Sequence, residues 1–243
     1  MRVHNRCLDV ACVIYGAAYH WDYVQNLYAM ITRNIDSDVR FHVFTEPTRL
    51  VPAPFVRHDL IEWPSAANLR AWWYKMQMFD PRHGLNGPLL YLDLDVVITG
   101  DLDWIAQLDQ TAFWTIRDFR YLWRPSWKGM NSSFLYWNPA RYAQVWKIFC
   151  EKPVSHWAKQ FPGDQDFLTH YVPGTDIRFV DQDIVRSYRW QIKDGGMDPV
   201  TRQYRRPGAG AVIPASCRIM VFHGSPKPAD VADMTVLSLW NHK

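Results

Sequence analysis

A chain of 243 residues, 48% apolar and 21% charged, suits one large α/β domain with a sizeable core. Its formal charge of +3 excludes a dedicated nucleic-acid binder, which needs a concentrated basic face. Cys7, Cys12, Cys150 and Cys217 lack C-x-x-C spacing, so neither a zinc ribbon nor a disulfide framework is expected.

The opening lacks a signal-like segment and no apolar window reaches membrane-span length, so a cytoplasmic protein is expected, with a bilayer reachable only through peripheral contact. Thirteen tryptophans are the compositional oddity. Trp is mostly a core residue, although its flat face also suits the C–H face of a sugar ring.

Leu8 to Tyr15 reads as a first strand ending at Gly16. From Asp22, a candidate N-cap, Val24, Leu27, Tyr28 and Ile31 recur at helical spacing, and Arg40 to Thr45 gives a second strand. This β-α-β start predicts parallel pairing. It places Tyr15, Gly16 and Tyr19 where a nucleotide base would bind, with helix-start packing an equal reading for Tyr19. Val51 to Pro64 is a proline-rich connection, and Asn68 to Phe79 reads as a helix carrying Lys75.

Leu89 to Ile98 is an apolar run broken only by Asp93 and Asp95. Read as one buried strand, it puts both carboxylates on one face and Leu94 on the other. Two ionised carboxylates at the rim of a core require compensation. At the carboxyl end of a strand in an α/β sheet, where ligands bind, a hard cation such as Mn²⁺ or Mg²⁺ is the leading candidate. A second D-x-D, Asp101 to Asp103, follows Gly100 and reads as turn and capping chemistry.

Phe113 to Ile116 is another strand. Tyr121 to Lys128 reads as a surface loop in which Trp123 and Trp127 are candidate acceptor contacts, as is Tyr188 further on. Met130 to Ser133 leads into Phe134 to Trp137 as a polar rim at the start of a strand, and a helix follows from Ala140. Gly163-Asp164-Gln165-Asp166 opens a helix running to Tyr171, and Ile177 to Val180 is strand-like. Gly195 to Gly210, with Arg202, Arg205 and Arg206, is the candidate mobile lid. Arg218 to Phe222 is a last strand, which delivers His223-Gly224-Ser225-Pro226-Lys227-Pro228.

If Asp93, Asp95 and His223 hold one divalent ion while Lys227 faces the same cleft, the arrangement neutralises a diphosphate. A donor such as Lys227 adds roughly 2–4 kcal/mol to leaving-group stabilisation. Departure of a nucleoside diphosphate from a sugar is a reaction that needs these parts. A carboxylate near the anomeric carbon is also wanted, and Asp164 and Asp166 are the candidates. The competing reading makes Asp164 a helix cap and Asp166 a helix-dipole partner.

These motifs, in this order, resemble a GT-A-fold glycosyltransferase and are most similar to glycosyltransferase family 8. That family includes the glycogenins and bacterial lipopolysaccharide galactosyltransferases. The resemblance spans nearly the whole chain through Tyr19, Lys75, Tyr91-Leu92-Asp93-Leu94-Asp95, Met130 to Ser133, Gly163 to Asp166, and His223-Gly224 with Lys227-Pro228. It implies an α/β GT-A-like single domain with a Rossmann-like mixed sheet flanked by helices. Residues 1–99 would be the nucleotide-binding half, and 100–243 the acceptor and catalytic half.

The resemblance also implies a nucleotide-sugar donor, a UDP-sugar in first place, a carbohydrate or glycoconjugate acceptor, and a retaining reaction. Asp93, Asp95 and His223 would bind Mn²⁺ or Mg²⁺, and Asp164 would be catalytic. The donor-binding set would be Tyr15, Gly16, Tyr19, Lys75, Leu94, Asn131, Ser132, Gly224 and Lys227. The chain departs from the family in a turn two residues shorter between His223 and Lys227, and in Tyr15-Gly16 at the end of the first strand.

Two rivals use the same residues. A haloacid-dehalogenase-type Mg²⁺ phosphatase would make Asp93 the nucleophile and Asp95 the general acid, but it leaves His223 to Pro228 unexplained. A non-catalytic nucleotide-sugar-binding protein would keep the fold and bind without turnover.

Overall fold

The computed structural model describes residues 7–63 and 69–241, so Pro64 and Asn68, at the edges of two expected segments, lie outside it. Strand β1 (Leu8–Ile14), helix α1 (Trp21–Thr32) and strand β2 (Val39–Thr45) form the expected β-α-β unit, with β1 and β2 parallel. Helix α1 buries Tyr23, Val24, Leu27, Met30 and Ile31 along one stripe. His20, not Asp22, occupies its N-cap position, and Asp22 sits in the first turn, where a carboxylate favours the helix dipole.

The proline-rich connection hides a short edge strand, β3 (Val56–Asp59), parallel to β2. The expected helix ending at Phe79 is a nine-residue 3₁₀ helix, Ala71–Phe79, whose residues Trp73 to Phe79 are all buried. It has no solvent face for an amphipathic pattern to mark.

The run Leu89 to Ile98 is not one strand. It splits into β4 (Leu89–Leu92) and β5 (Val96–Ile98), which belong to different sheets. The ladder to the neighbouring strand ends where Asp93 N–H donates to the Ser133 carbonyl at 3.0 Å, and Val96 N–H closes a turn onto the Asp93 carbonyl at 3.3 Å. Alternation along a strand therefore does not bring the two carboxylates together; the turn between two sheets does. The chain leaves the dry sheet at the residues that cannot be buried there unpartnered.

Strands β6 (Phe113–Arg117) and β7 (Met130–Trp137) follow, then helices α2 (Ala143–Cys150), α3 (Val154–Gln160) and α4 (Asp164–Tyr171). Strands β8 (Ile177–Phe179), β9 (Val185–Ser187) and β10 (Ile219–Val221) and helix α5 (Met234–Trp240) complete the order. The main sheet runs β3-β2-β1-β4-β7-β6-β8, with β7 antiparallel to both its neighbours, and a small sheet runs β5-β10-β9.

Period-2 alternation sorts the sheet's side chains into two cores. Val10, Cys12, Ile14, Leu90 and Leu92 pack with α1 and the small sheet; Ala11, Leu89 and Tyr91 pack with the 3₁₀ helix and α2 to α4. Both faces are covered, which is why β4 reads as an unbroken apolar run. Among the described residues, no helix is long and apolar enough to cross a membrane.

A histidine chain sits at the edge of the sheet. His42 Nε2 lies 2.9 Å from Asp9 Oδ1, and its Nδ1 lies 2.8 Å from His58 Nε2. Burial, then the neighbouring His42, holds His58 at about 4, below its ordinary 6.5. The unfolded chain therefore takes up a proton between these values that the folded chain refuses. Stability from His58 is full above pH 6.5 and falls as the pH drops towards 4. Urea melts at pH 7 and 4.5 are expected to show a loss on the order of 2 kcal/mol, reduced for the partly exposed ring, that His58→Gln removes. Equal losses in both proteins would acquit His58.

Candidate active site

The carboxyl ends of β1 and β4, the turn after β4, the start of β7, the start of α4 and the segment after β10 surround one cavity of about 660 Å³. Of the residues singled out from the sequence, Tyr15, Tyr19, Lys75, Asp93, Leu94, Asp95, Asn131, Ser132, Asp164, His223, Gly224 and Lys227 all line it. Gly16 does not. It holds a left-handed turn (φ +68°) after β1, where its carbonyl accepts from Arg49 at 2.6 Å.

Lys75 comes from the buried 3₁₀ helix and is only 7% exposed. Its Nζ lies 3.1 Å from Asp93 Oδ1 and 3.4 Å from Asp164 Oδ2, and it donates to Ser132 Oγ at 2.9 Å. Burial works against its charge, but Asp164 and Asp93 outweigh it and raise the lysine's pKa. Tyr91 donates to Asp93 Oδ1 at 2.5 Å. Burial opposes ionisation of Asp93, yet Lys75, Tyr91 and Ser133 hold it below the ordinary carboxylate value.

Asp95 faces a second ammonium. Lys227 Nζ pairs with Asp95 Oδ2, which also accepts from Tyr19 Oη at 2.9 Å. Burial and then the Asp93 charge raise Asp95, more than Lys227 and Tyr19 lower it. Lys227 reaches this position because Gly224 takes φ +76°, turning the chain sharply after His223.

Asp164 is 3% exposed and is the first residue of α4. Gly163, not Asp164, holds the N-cap position, and no side chain caps the helix. The capping reading of Asp164 therefore falls. Burial raises its pKa against the pull of Lys75 and Ser132, and among the described residues its Oδ2 has no hydrogen-bond partner. Gly163 packs closely on Trp72: a Cβ there would lie 3.2 Å from Trp72 Nε1, so the indole would have to give by a few tenths of an ångström.

The polar rim expected at the start of a strand is the start of β7. The β6–β7 register shifts between Thr115 and Ile116. That irregularity lets Asn131, Ser132 and Ser133 all line the cavity, where strict alternation would turn one of them away. The second D-x-D is spent elsewhere: Asp101 Oδ1 accepts from Asp103 N–H at 2.9 Å, and Asp103 Oδ1 from Asp36 N–H at 3.0 Å. Gln165, from the Gly163 to Asp166 motif, also lines the cavity, as do Arg70, Trp72 and Arg120, which carried no signal in the sequence beyond their residue types.

Among the described residues, no three His, Cys, Asp or Glu side chains converge into a ready-made metal cluster. His223 Nε2 is engaged by Ser187 Oγ at 2.7 Å, and its ring stacks on Phe119. The donor types nevertheless fit a hard or borderline divalent cation. Burial, and then Arg189, bring His223 to about 4, so its imidazole is neutral near pH 7, as a ligand must be. Asp95 is raised first by burial and then by the Asp93 charge, and a bound cation would oppose both effects.

By sequence, no family model and no curated protein matches the chain. By structure the match is extensive. The galactosyltransferase LgtC, in complex with donor and acceptor sugar analogues, aligns over 96% of this chain and 94% of its own, with a TM-score of 0.62 at 14% identity. The apo glycosyltransferase GlyE of Streptococcus pneumoniae TIGR4 aligns over 97% of this chain and 59% of its own, with a TM-score of 0.64 at 13% identity. Apo mouse xyloside xylosyltransferase 1 aligns over 90% of this chain and 98% of its own, with a TM-score of 0.52 at 14% identity.

The chain has a GT-A-like fold. At these identities the likeness reaches the fold and stops there, and the chemistry rests on the side chains of the cavity. In this GT-A-like fold the cavity sits at the carboxyl ends of β1 and β4, where α/β sheets bind ligands.

Proposed function

We propose that the chain transfers a sugar from a nucleoside-diphosphate sugar, a UDP-sugar in first place, to a carbohydrate or glycoconjugate acceptor. The observation that carries this reading is one cavity in which two ammonium groups, Lys75 and Lys227, face the Asp93–Asp95 turn while a buried carboxylate, Asp164, stands beside Lys75. Retention of configuration follows from the family resemblance. The GT-A-like fold favours this reading over the phosphatase.

Asp93, Asp95 and His223 would hold Mn²⁺ or Mg²⁺, which when bound neutralises charge on the departing diphosphate. The remaining work falls to the chain. Lys227, partly exposed on the turn after β10, exchanges Asp95 for a phosphate oxygen and donates to it as negative charge builds. Tyr19 keeps Asp95 oriented during that exchange. Lys75 fixes Asp164 in a dry position, where a carboxylate best stabilises an oxocarbenium-like sugar. Asn131 and Ser132 flank the same space.

A thermal-shift series with UDP, GDP, CDP and dTDP, each with and without Mn²⁺, tests this. One diphosphate is expected to stabilise the fold only with metal present. At a concentration about 100 times its Kd the gain is about 2.7 kcal/mol, on the order of 5–10 °C for a chain this size. Asp95→Asn is expected to abolish that shift while the protein alone melts as before. A metal-dependent shift that survives Asp95→Asn overturns the ligand assignment. Cleavage of a generic phosphomonoester with Mg²⁺, and no diphosphate shift, hands the site to the phosphatase.

A further inference from the structure

A second cavity of about 410 Å³ adjoins the first and shares Arg120, Asn131, Gln165 and His223 with it. Its volume falls in the range of small-molecule sites. Asp118, Phe119, Trp123, Arg189 and Trp190 complete the lining. Trp123 and Trp190 lie 4.5 Å apart, ring centre to ring centre, and form an aromatic wall.

The charges of this chamber do not balance. Its one acidic residue, Asp118, is clamped by Arg120 through bonds of 2.8 and 2.5 Å and accepts from Gln165 at 3.3 Å. Arg189 stands at the chamber with its guanidinium 5.6 Å from the Trp190 ring. Arg202 stacks on Trp123 and Trp190 at 5.0 and 4.7 Å. Among the described residues neither arginine has a carboxylate within ion-pair distance.

Arg202 belongs to the glycine- and arginine-rich segment 195–210, read from sequence as a lid. Its backbone takes φ +61°, a conformation that disfavours residues with side chains. The segment is pinned by the Met197–Tyr204 and Lys193–Ala211 bridges, so Arg202 is held over the aromatic wall in a strained conformation. An aromatic platform beside two guanidinium groups without acidic partners is a site for a sugar ring that carries an anion.

We propose that the second chamber binds an acidic acceptor sugar, with Trp123 and Trp190 against its ring, Arg189 on its carboxylate or phosphate, and Arg202, outside the lining, adding positive charge beside the aromatic wall. This names the acceptor class for the transferase reading above, and it rests on that reading for its consequence though not for its binding test. The anion belongs either to a uronic acid or to a sugar phosphate; both present oxygens that an arginine fork can pair.

The test measures binding of glucuronate, glucose 6-phosphate, glucose and inorganic phosphate by calorimetry and tryptophan fluorescence. It uses the full chain, with the first cavity saturated by its nucleoside diphosphate where one has been found. Glucuronate or glucose 6-phosphate is expected to bind at least about tenfold more tightly than glucose, and whichever of the two binds identifies the anion. Arg189→Gln and Arg202→Gln are each expected to remove that preference, with diphosphate binding unchanged. Glucose binding as tightly as the acids, phosphate binding as tightly as its sugar ester, or a preference that survives both substitutions overturns the proposal. So does the absence of any sugar binding. If no diphosphate binds but the acidic sugar does, the donor reading falls and the anion site stands.

Discussion

Lys75→Met is expected to cost the fold about 3–5 kcal/mol at pH 7, because removing one partner of a buried charge pair leaves the other uncompensated. Here one ammonium serves two carboxylates, Asp93 at 3.1 Å and Asp164 at 3.4 Å. Methionine keeps the length and apolar stem of the side chain, while the ammonium and its cation–π contact over the Tyr91 ring at 5.4 Å are lost, so the lost charge is what is measured. The pH dependence has a definite sign. Asp164's folded pKa lies above its ordinary 3.8, so folding favours its protonated form, and the stability that form gives falls as the pH rises through the raised value. Without Lys75 that value rises further, so the penalty of the substitution is expected to shrink as the pH is lowered from 7 towards 4. Adding Asp164→Asn to Lys75→Met should recover part of the loss, with a coupling of roughly 0.5–3 kcal/mol in the double-mutant cycle. Urea denaturation of the four proteins at two pH values reads all of this. A loss under about 1 kcal/mol, unchanged by pH, would mean that the triad carries little of the fold's energy.

Much of this fold was readable from periodicity and order. The β-α-β opening, the buried run at Leu89 and the strand that delivers His223 are set by apolar patterning, and the structure places them accordingly. The failures have physical causes. A period-2 reading carries a strand through any residue that alternates correctly, and it does not register that two carboxylates end the ladder at Asp93. Helical periodicity needs a wet face; the segment Trp73 to Phe79 has none, so its 3₁₀ form left no mark in the pattern. Strand β3 lies at the sheet edge with Val56 and Arg57 exposed, and its composition reads as a connection. The cavity residues came through because each stands beside a break in a pattern: Asp93 and Asp95 in an apolar run, Ser132 at a strand start, Lys227 after a Gly/Pro turn. Arg120 and Arg189 stand beside no such break. Their part in a site comes only from the folding together of β6, β9 and the segment after β10.

Asp164→Asn is expected to lower turnover by about 10²–10⁴-fold while changing nucleoside-diphosphate affinity less than about threefold. Three features of Asp164 separate this from a structural effect. It caps nothing, since Gly163 holds the N-cap and the helix has no side-chain cap. Its carboxyl is pushed up by burial, so replacing it with a neutral amide of the same shape removes a charge that folding disfavours, and the melting temperature is expected to hold or rise. Lys75 keeps Asp93 as a partner after the change, so no buried cation is stranded. In the proposed reaction the donor's phosphates would face Lys227 and the Asp93–Asp95 turn, which the substitution leaves intact. An interaction made only as positive charge develops on the sugar lowers kcat and kcat/KM together and leaves the diphosphate affinity alone. Steady-state kinetics with the donor found by thermal shift, set beside calorimetry with its diphosphate, separates the two quantities. Parallel loss of affinity and turnover with a lower melting temperature would make Asp164 part of the scaffold. It would move the catalytic role to Asp166, the other acidic residue at the start of α4, which lines the same cavity and whose carboxyl is also raised, chiefly by burial.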